Sequence, residues 1–132
     1  MYSVTVSDHV LVAHSLPDPF FGPAQRLHGA TYVVEVTVRA SALDEHGVVV
    51  DLGAAAEALR RILAPLGHRN LDDVPELAGL VTTTEVLARY VADRMADLAA
   101  EGALGREPAG LDGLTVTLHE SPVAWASYER EL

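Results

Sequence analysis

Two long stretches near the amino end alternate between apolar and polar residues. Valines recur at every second position in residues 2–14, and they do so again in residues 28–41. A two-residue period predicts extended strands with one buried face, because successive side chains of a strand point to opposite sides. The segment 15–27 between them holds three Pro and one Gly and predicts a loop. Asp8 interrupts the first pattern, which predicts a bulge at that position.

The middle of the chain changes to the spacing of amphipathic helices. Apolar residues recur every three or four positions over residues 52–65, directly after Asp51, a residue type that commonly caps helices. A second such stretch, 82–101, begins with Thr-Thr-Thr-Glu, which resembles a capping box. Segments rich in Gly then separate it from two further strands, 114–120 and 124–129.

The predicted order β-β-α-α-β-β defines the fold class. We expect one α+β domain over residues 1–132, with an antiparallel sheet covered on one face by two helices. A length of 132 residues suits a single domain. A four-stranded antiparallel sheet has two open edges, and edge-to-edge pairing between copies of the chain is one way to cover them.

Composition excludes several classes of function. The chain has no Cys, so it cannot form a disulfide, a thiolate zinc site or a cysteine nucleophile. Its net charge is −10 and no basic run is present to neutralise the phosphates of a nucleic acid. No apolar run approaches the roughly 18 residues of a membrane span, and no signal-like segment opens the chain. We expect a cytoplasmic protein that partners neither nucleic acid nor a membrane.

Three chemically active side chains share the apolar parity of their strands. His14, His28 and Glu120 each lie at a strand end and are predicted to point toward the apolar face. A buried carboxylate is costly or strongly shifted in pKa unless a partner satisfies it. For Glu120 that partner is an Arg, backbone amides or the N–H groups of a ligand, unless the side chain simply reaches solvent. The two histidines are either hydrogen-bonded structural residues or ligands.

The other candidate residues carry weaker signals. Three histidines fall on the outward parity or in a turn and are interpreted as solvated: His9, His46 and His119. The acidic pairs Asp72-Asp73 and Asp44-Glu45 lie in turn-like segments, where solvated acids are commoner than metal ligands. Trp125, in the last predicted strand, fits a core or interface position.

Six short motifs follow one another along nearly the whole chain. They are Ala13-His14, Arg26-Leu27-His28-Gly29, Val48-Val49-Val50-Asp51, Leu66-Gly67-His68-Arg69-Asn70-Leu71, Thr83-Thr84-Glu85-Val86-Leu87-Ala88 and Glu120-Ser121. In this order the chain resembles the 6-pyruvoyltetrahydropterin synthase / 6-carboxytetrahydropterin synthase family. The resemblance implies the tunnelling fold, in which subunit sheets join edge to edge into a barrel, usually as a hexamer of two trimers. It also implies a pterin-like or purine-like ring held at a subunit interface.

The resemblance assigns ring-binding roles to three residues. Glu120 matches a glutamate that holds the amino and ring N–H groups of the heterocycle, and Thr83 and Thr84 match residues that line the same pocket. The chemistry is a good match, because a carboxylate forms charge-assisted paired hydrogen bonds with a planar, guanidine-like edge.

The zinc position departs from the family pattern. The resemblance implies a zinc ion held by three histidines, of which two match His14 and His28, whereas the third position is Ala30. Catalytic zinc normally has three protein ligands, so two imidazoles alone form an incomplete site. Zinc is therefore a possible but doubtful cofactor.

The proton-transfer positions also depart from the pattern. The catalytic Cys of the family falls on Ala24, and the Asp of its Asp-His pair falls on Gly67, so that only His68 remains. By analogy with catalytic triads, a histidine without its orienting carboxylate loses transition-state stabilisation.

Three functions are compatible with this selective loss. The first is a divergent enzyme acting on a pterin-like heterocycle with altered chemistry, in which His14, His28 and a water or substrate oxygen bind a metal and His68 transfers protons. The second is a non-catalytic pterin- or purine-binding module or assembly subunit that retains the pocket. The third is ordinary synthase activity, which needs a route to proton abstraction without a thiol, and the sequence shows none.

Overall fold

The two alternating stretches form the longest strands of the structure. The computed structural model describes all residues 1–132, and strands β1 (Tyr2–His14) and β2 (His28–Ala40) pair antiparallel along their whole length. The predicted bulge at Asp8 is wrong, because Asp8 stands in register opposite Val34. Asp8 keeps the parity of its apolar neighbours, and its side chain remains partly exposed. The carboxylate therefore reaches solvent without a change of register.

Three more strands complete the sheet. A two-residue strand, β3 (Arg69–Asn70), runs parallel to the end of β1, and β4 (Gly113–Ser121) and β5 (Ala124–Glu131) form an antiparallel hairpin beside β2. The order β3-β1-β2-β4-β5 confirms the four predicted strands and adds a short fifth one, which makes the sheet mixed. Two residues are too few to show a period in sequence, so β3 escapes prediction. β5 is left as an uncovered edge strand, and β3 covers only the end of β1.

Both predicted helices are present, with a correction at the second. Helix α1 (Leu52–Leu63) is capped by Asp51, whose side chain accepts the Ala54 N–H at 3.0 Å. Helix α2 (Thr84–Ala100) is capped by Thr83. The capping box predicted from Thr82 is therefore wrong, because the hydroxyl of Thr82 lies against a histidine of β1 instead. Four short 3-10 segments lie in the connections: Pro19–Gln25, Leu71–Asp73, Pro75–Leu77 and Pro108–Gly110.

The core lies between the helices and one face of the sheet. Alternate residues of β2 and β4 are fully buried there, in one cluster with Leu59 of α1 and Met95 of α2. Helix α1 packs on β1, and helix α2 packs on β4 and β5. The opposite face carries mostly Ser, Thr and charged side chains and is not covered by any element of the chain. This arrangement confirms the α+β fold with two helices on one face. No helix of the structure combines the length and apolar character that crossing a membrane requires.

Candidate functional site

Two imidazoles meet where β1 ends and β2 begins. His14 and His28 are register partners, and their ring centroids lie 4.6 Å apart. His14 is 3% exposed, and its Nδ1 atom lies 3.0 Å from the Thr82 hydroxyl. His28 is half-buried and donates a hydrogen bond from Nδ1 to the carbonyl oxygen of Arg26 at 2.8 Å. Because both Nδ1 atoms are held, the Nε2 atoms are the ones left for a ligand.

Burial changes the acid–base behaviour of this pair. Desolvation lowers the pKa of His14, and the nearby His28 lowers it further, whereas the Thr82 hydrogen bond and the carboxylates of Asp72 and Glu120 oppose the shift. A lowered pKa favours the neutral imidazole, which is the form that accepts a proton or binds a metal.

The donor set does not complete the three-histidine zinc site that the resemblance implies. Ala30 follows His28 by two residues on the same face of β2, where its methyl group offers no ligand atom. No group of three His, Asp or Glu side chains in the chain is arranged to hold a metal ion. The residues present therefore supply two of the three positions and do not fit the family's zinc.

Restoring the third imidazole tests the arrangement of His14, His28 and Ala30 at the strand ends. Ala30→His is expected to tighten zinc binding by at least about 100-fold, because even indirect partners of a zinc ligand are worth 10–100-fold in affinity. The measurement is competition of each protein with a chromogenic chelator. Ala42→His, in the exposed loop after β2, is the matched control and should leave the zinc affinity unchanged. Equal zinc affinities of wild type and Ala30→His would contradict the geometry assigned to these three positions.

Glu120 lies at an irregular point of the β4–β5 hairpin. His119 pairs with Trp125 and Ser121 pairs with Ala124, so the register shifts at Glu120. The residue is exposed in the chain, unlike the apolar residues of the same parity that precede it. Parity therefore fails as a predictor of burial at this position, where the regular pairing of the hairpin is interrupted.

A cleft of about 670 Å³ places Glu120 beside Thr84 and Trp125. The carboxylate forms no ion pair with any cationic side chain of the chain. Its negative charge adds to the rise in the pKa of Tyr32, which is caused chiefly by burial of the phenol. The charge of Glu120 thus acts on the buried phenol of Tyr32, while its carboxylate oxygens are open to the cleft.

The two predicted threonines have different positions. The hydroxyl of Thr83 accepts the Val86 N–H at 3.2 Å and caps α2, so this side chain is already engaged. Thr84 is 8% exposed, lines the same cleft as Glu120 and forms a hydrogen bond that opposes the rise in the pKa of Tyr32. Of this pair, Thr84 is the side chain that the structure brings to Glu120.

His68 lies near the opposite edge of the sheet, outside β1. Its backbone N–H donates to the Leu11 carbonyl at 2.7 Å, beyond the outer side of β1, and its φ is +59°. It borders a separate cleft of about 500 Å³ with Asp8 and Arg60. Three strand spacings separate it from Glu120, or about 14 Å at about 4.8 Å per strand. One chain therefore does not bring His68 and Glu120 into the same site.

The missing carboxylate before His68 has no steric cause. Gly67 has no positive φ, and a Cβ atom placed there would make only ordinary contacts, at 3.9 Å or more. The backbone at this position therefore accepts a Cβ atom, so neither its conformation nor a close contact requires glycine.

In each acidic pair of the loops, one carboxylate is already engaged by hydrogen bonds within the chain. Asp44 accepts the N–H groups of His46 and Val48, and the bond from Val48 is the main reason that the pKa of Asp44 is lowered. Asp72 accepts the N–H and hydroxyl of Ser15 at 3.2 and 2.5 Å. Both use their oxygens within the chain, and neither belongs to a metal-binding group.

The sequence patterns miss two contacts near His14 and Glu120. Thr82 is 2% exposed and hydrogen-bonded to His14, whereas the sequence pattern places it in a capping box at the start of the second helix. The interpretation of His119 as solvated is wrong. Its side chain lies on the outward face as parity predicts, but a hydrogen bond joins it to Glu35 of the adjacent strand, and it is only 27% exposed. The other outward histidines are exposed as interpreted. Trp125 is 59% exposed and so is not a core residue.

The chain has a mixed sheet with uncovered edges and two helices on one face, and it carries two paired imidazoles and a glutamate at its strand ends. This arrangement defines a tunnelling-fold protein. The model of the family described as 6-pyruvoyl tetrahydropterin synthase matches residues 3–131. The chain therefore belongs to the 6-pyruvoyl tetrahydropterin synthase family.

Relatives and solved structures agree with this assignment. The chain is 35% identical over 77 residues to the 6-pyruvoyl tetrahydrobiopterin synthase of Dictyostelium discoideum, covering 57% of each protein. It is 29% identical over 91 residues to the 6-carboxy-5,6,7,8-tetrahydropterin synthase of Bacillus subtilis, covering 66% of this chain and 60% of that protein. The matched parts thus span less than two thirds of these curated relatives. The structure of Caenorhabditis elegans 6-pyruvoyl tetrahydropterin synthase superposes with a TM-score of 0.80 at 26% identity, covering 98% of this chain and 95% of that chain.

Proposed function

We propose that the chain binds a pterin-like bicyclic ring against Glu120 and acts on it as a synthase-like enzyme with altered chemistry. The observation that carries this proposal is the state of the Glu120 carboxylate. It is exposed in a cleft beside Thr84, without an ion-pair partner from the chain. A carboxylate left open in this way can accept the paired N–H groups of a guanidine-like ring edge.

The altered chemistry follows from the residues that the family reaction uses. Ala30, Ala24 and Gly67 stand where the resemblance places a zinc ligand, the thiol and the aspartate. His68 is the proton-transfer residue retained from that set. In the alternative function, a non-catalytic module keeps the ring pocket and performs no reaction.

We also propose that the site is completed by a second copy of the chain. His68 and Glu120 border clefts near opposite edges of the sheet. Edge-to-edge pairing of β5 with the β1 side of a neighbour would bring the His68 of one subunit to the Glu120 of the next. Repetition of this contact closes a barrel, in a trimer or a hexamer of two trimers, and leaves no open edge.

Replacing the anchoring carboxylate tests ring binding. Glu120→Gln is expected to weaken the affinity for pterin by at least about tenfold, because a hydrogen bond to a charged group is worth about 1.5–3 kcal/mol. Isothermal titration calorimetry measures the affinity. Lumazine, which has an oxygen in place of the 2-amino group of pterin, should bind weakly to both proteins.

Glu107→Gln is the matched control for that experiment. Glu107 is exposed, and its side chain caps no helix, so the same change of charge should leave pterin binding unaltered. An unchanged affinity in Glu120→Gln would remove the proposed ring site. Incubation with dihydroneopterin triphosphate then separates the functions: a new product supports altered chemistry, the ordinary product supports synthase activity, and binding without turnover supports the non-catalytic module.

A further inference from the structure

A second pair of titratable side chains lies on the uncovered face of the sheet. The His119 Nε2 atom of β4 and the Glu35 carboxylate of β2 form a hydrogen bond between residues that are 84 positions apart. His119 is the register partner of Val33, so Glu35 reaches it diagonally across the two strands. The two side chains are 27% and 39% exposed, which leaves the pair half-buried.

This pair differs from the other contacts between histidine and carboxylate. His9 with Asp8 and His46 with Glu45 are neighbours in sequence, and these histidine side chains are 77% and 76% exposed. Solvent screens such contacts, and they contribute little. The Glu35–His119 pair is shielded on one side by the Trp125 ring, whose centroid lies 5.4 Å from that of the imidazole.

The pair also adjoins the proposed ring site. His119 and Glu35 line a cleft of about 390 Å³ to which Glu120 also contributes. Because the register shifts at Glu120, this residue borders the clefts of both the pair and Thr84. A ligand anchored at Glu120 can therefore be reached from the uncovered face by the imidazole that precedes Glu120 in sequence.

We propose that His119, positioned by Glu35, is a second proton-transfer residue of this site and supplies the base that the missing thiol cannot. The proposal rests on ring binding at Glu120 as proposed above. Glu35 accepts the proton on Nε2, so the free electron pair lies on Nδ1 and the carboxylate stabilises the imidazolium that forms. His68 of the neighbouring subunit remains available as the acid.

The proton-transfer step balances without a co-reactant. Nδ1 takes the proton of an acidic C–H beside the ring, and the electron pair of that bond moves into the adjacent C=N group. Return of a proton from the imidazolium to the same carbon restores the ligand. In D2O the returning hydrogen is deuterium, so the step is visible as isotope exchange even where no further reaction follows.

Mass spectrometry of dihydroneopterin triphosphate incubated with the protein in D2O tests the proposal. Wild type should incorporate deuterium at a side-chain carbon of the probe or its product. His119→Gln should bind the probe with unchanged affinity and exchange at least about 100-fold more slowly, the range of general base catalysis. His46→Gln is the matched control, because His46 also contacts a glutamate but lies in an exposed turn, and it should exchange at the wild-type rate.

The positioning role of Glu35 has its own readout. Glu35→Gln keeps a hydrogen-bond partner for His119 but removes the negative charge that stabilises the imidazolium. By analogy with the aspartate of a catalytic triad, it should slow isotope exchange at least about tenfold while the affinity for the probe stays unchanged. Glu35→Asp keeps the charge and should restore part of the exchange rate, whereas a purely structural contact would leave both variants at the wild-type rate.

The outcomes separate this proposal from ring binding itself. If His119→Gln binds the probe and exchanges at the wild-type rate, the pair is a structural contact between strands and the proposal is overturned. If wild type binds the probe without exchange, the proposal is overturned and ring binding stands. If wild type does not bind the probe, the ring site and the base assignment both fail.

Discussion

Cysteines introduced at positions 68 and 120 are expected to cross-link two different chains and not one chain to itself. Within a chain about three strand spacings, or about 14 Å, separate the two positions. A bismaleimide linker shorter than this distance cannot join them there. Pairing of β5 with the β1 side of a neighbour would leave only β5 between them, or about two strand spacings of about 10 Å in total, which a linker between these two lengths can span. The chain has no Cys, so every cross-linked species reports the introduced residues alone.

The experiment mixes His68→Cys and Glu120→Cys proteins after subunit exchange and separates the products on a denaturing gel. We expect a two-chain product in the mixture and almost none in either protein alone. A chain carrying both changes should form longer products, ending at the number of chains that closes the barrel. A mixture of His46→Cys with Glu120→Cys is the control and should stay uncross-linked, because His46 lies in an exposed turn away from both clefts. Failure of the 68–120 pair to react would refute the composite site.

Leu59→Ala is expected to lower the free energy of unfolding by about 2–5 kcal/mol, the usual cost of a cavity left by a buried leucine. Leu59 of α1 is fully buried among the core residues. A domain of this size has a total stability of about 5–15 kcal/mol, so the change removes a large part of it. Urea denaturation followed by circular dichroism measures the difference, at one protein concentration because the proposed pairing of copies would also stabilise the fold.

Leu52→Ala is the matched control on the same helix. Leu52 is 55% exposed, so the same loss of atoms opens no cavity and should change the stability by less than about 0.5 kcal/mol. Equal losses in the two variants would show that the buried face of α1 is wrongly assigned.

Local chemistry accounts for most of the secondary structure that could be predicted. The first strand, 2–14, has the predicted bounds because its period is visible within the segment itself. Asp51 caps α1 as expected because a cap involves residues only three apart. The sequence pattern predicts a bulge at Asp8, whereas the register shift lies at Glu120. Such a shift is a mismatch between two paired strands. One strand read alone carries only half of that information.

The candidate site shows the same division. Parity predicts only that His14 and His28 face the apolar side. The loop between β1 and β2 joins the two strands in a hairpin, and the register of this pair brings the two imidazoles together. The motif Glu120-Ser121 identifies Glu120, but parity predicts a buried side chain, whereas Glu120 is exposed at the register shift. The contact of His119 with Glu35 depends on the register between β2 and β4, which no pattern within either strand reveals.

The sequence by itself determined which residues of the regular strands and helices point inward, and it carries the short motifs by which the chain resembles its family. These properties follow from periods of two and 3.6 residues and from single positions, so they can be read along the chain. Tertiary structure alone decided which side chains meet. It placed His119 against Glu35, opened the Glu120 carboxylate to a cleft, and set His68 near the opposite edge of the sheet. Those contacts depend on the register and order of strands that are distant in sequence, and packing of the whole sheet determines both.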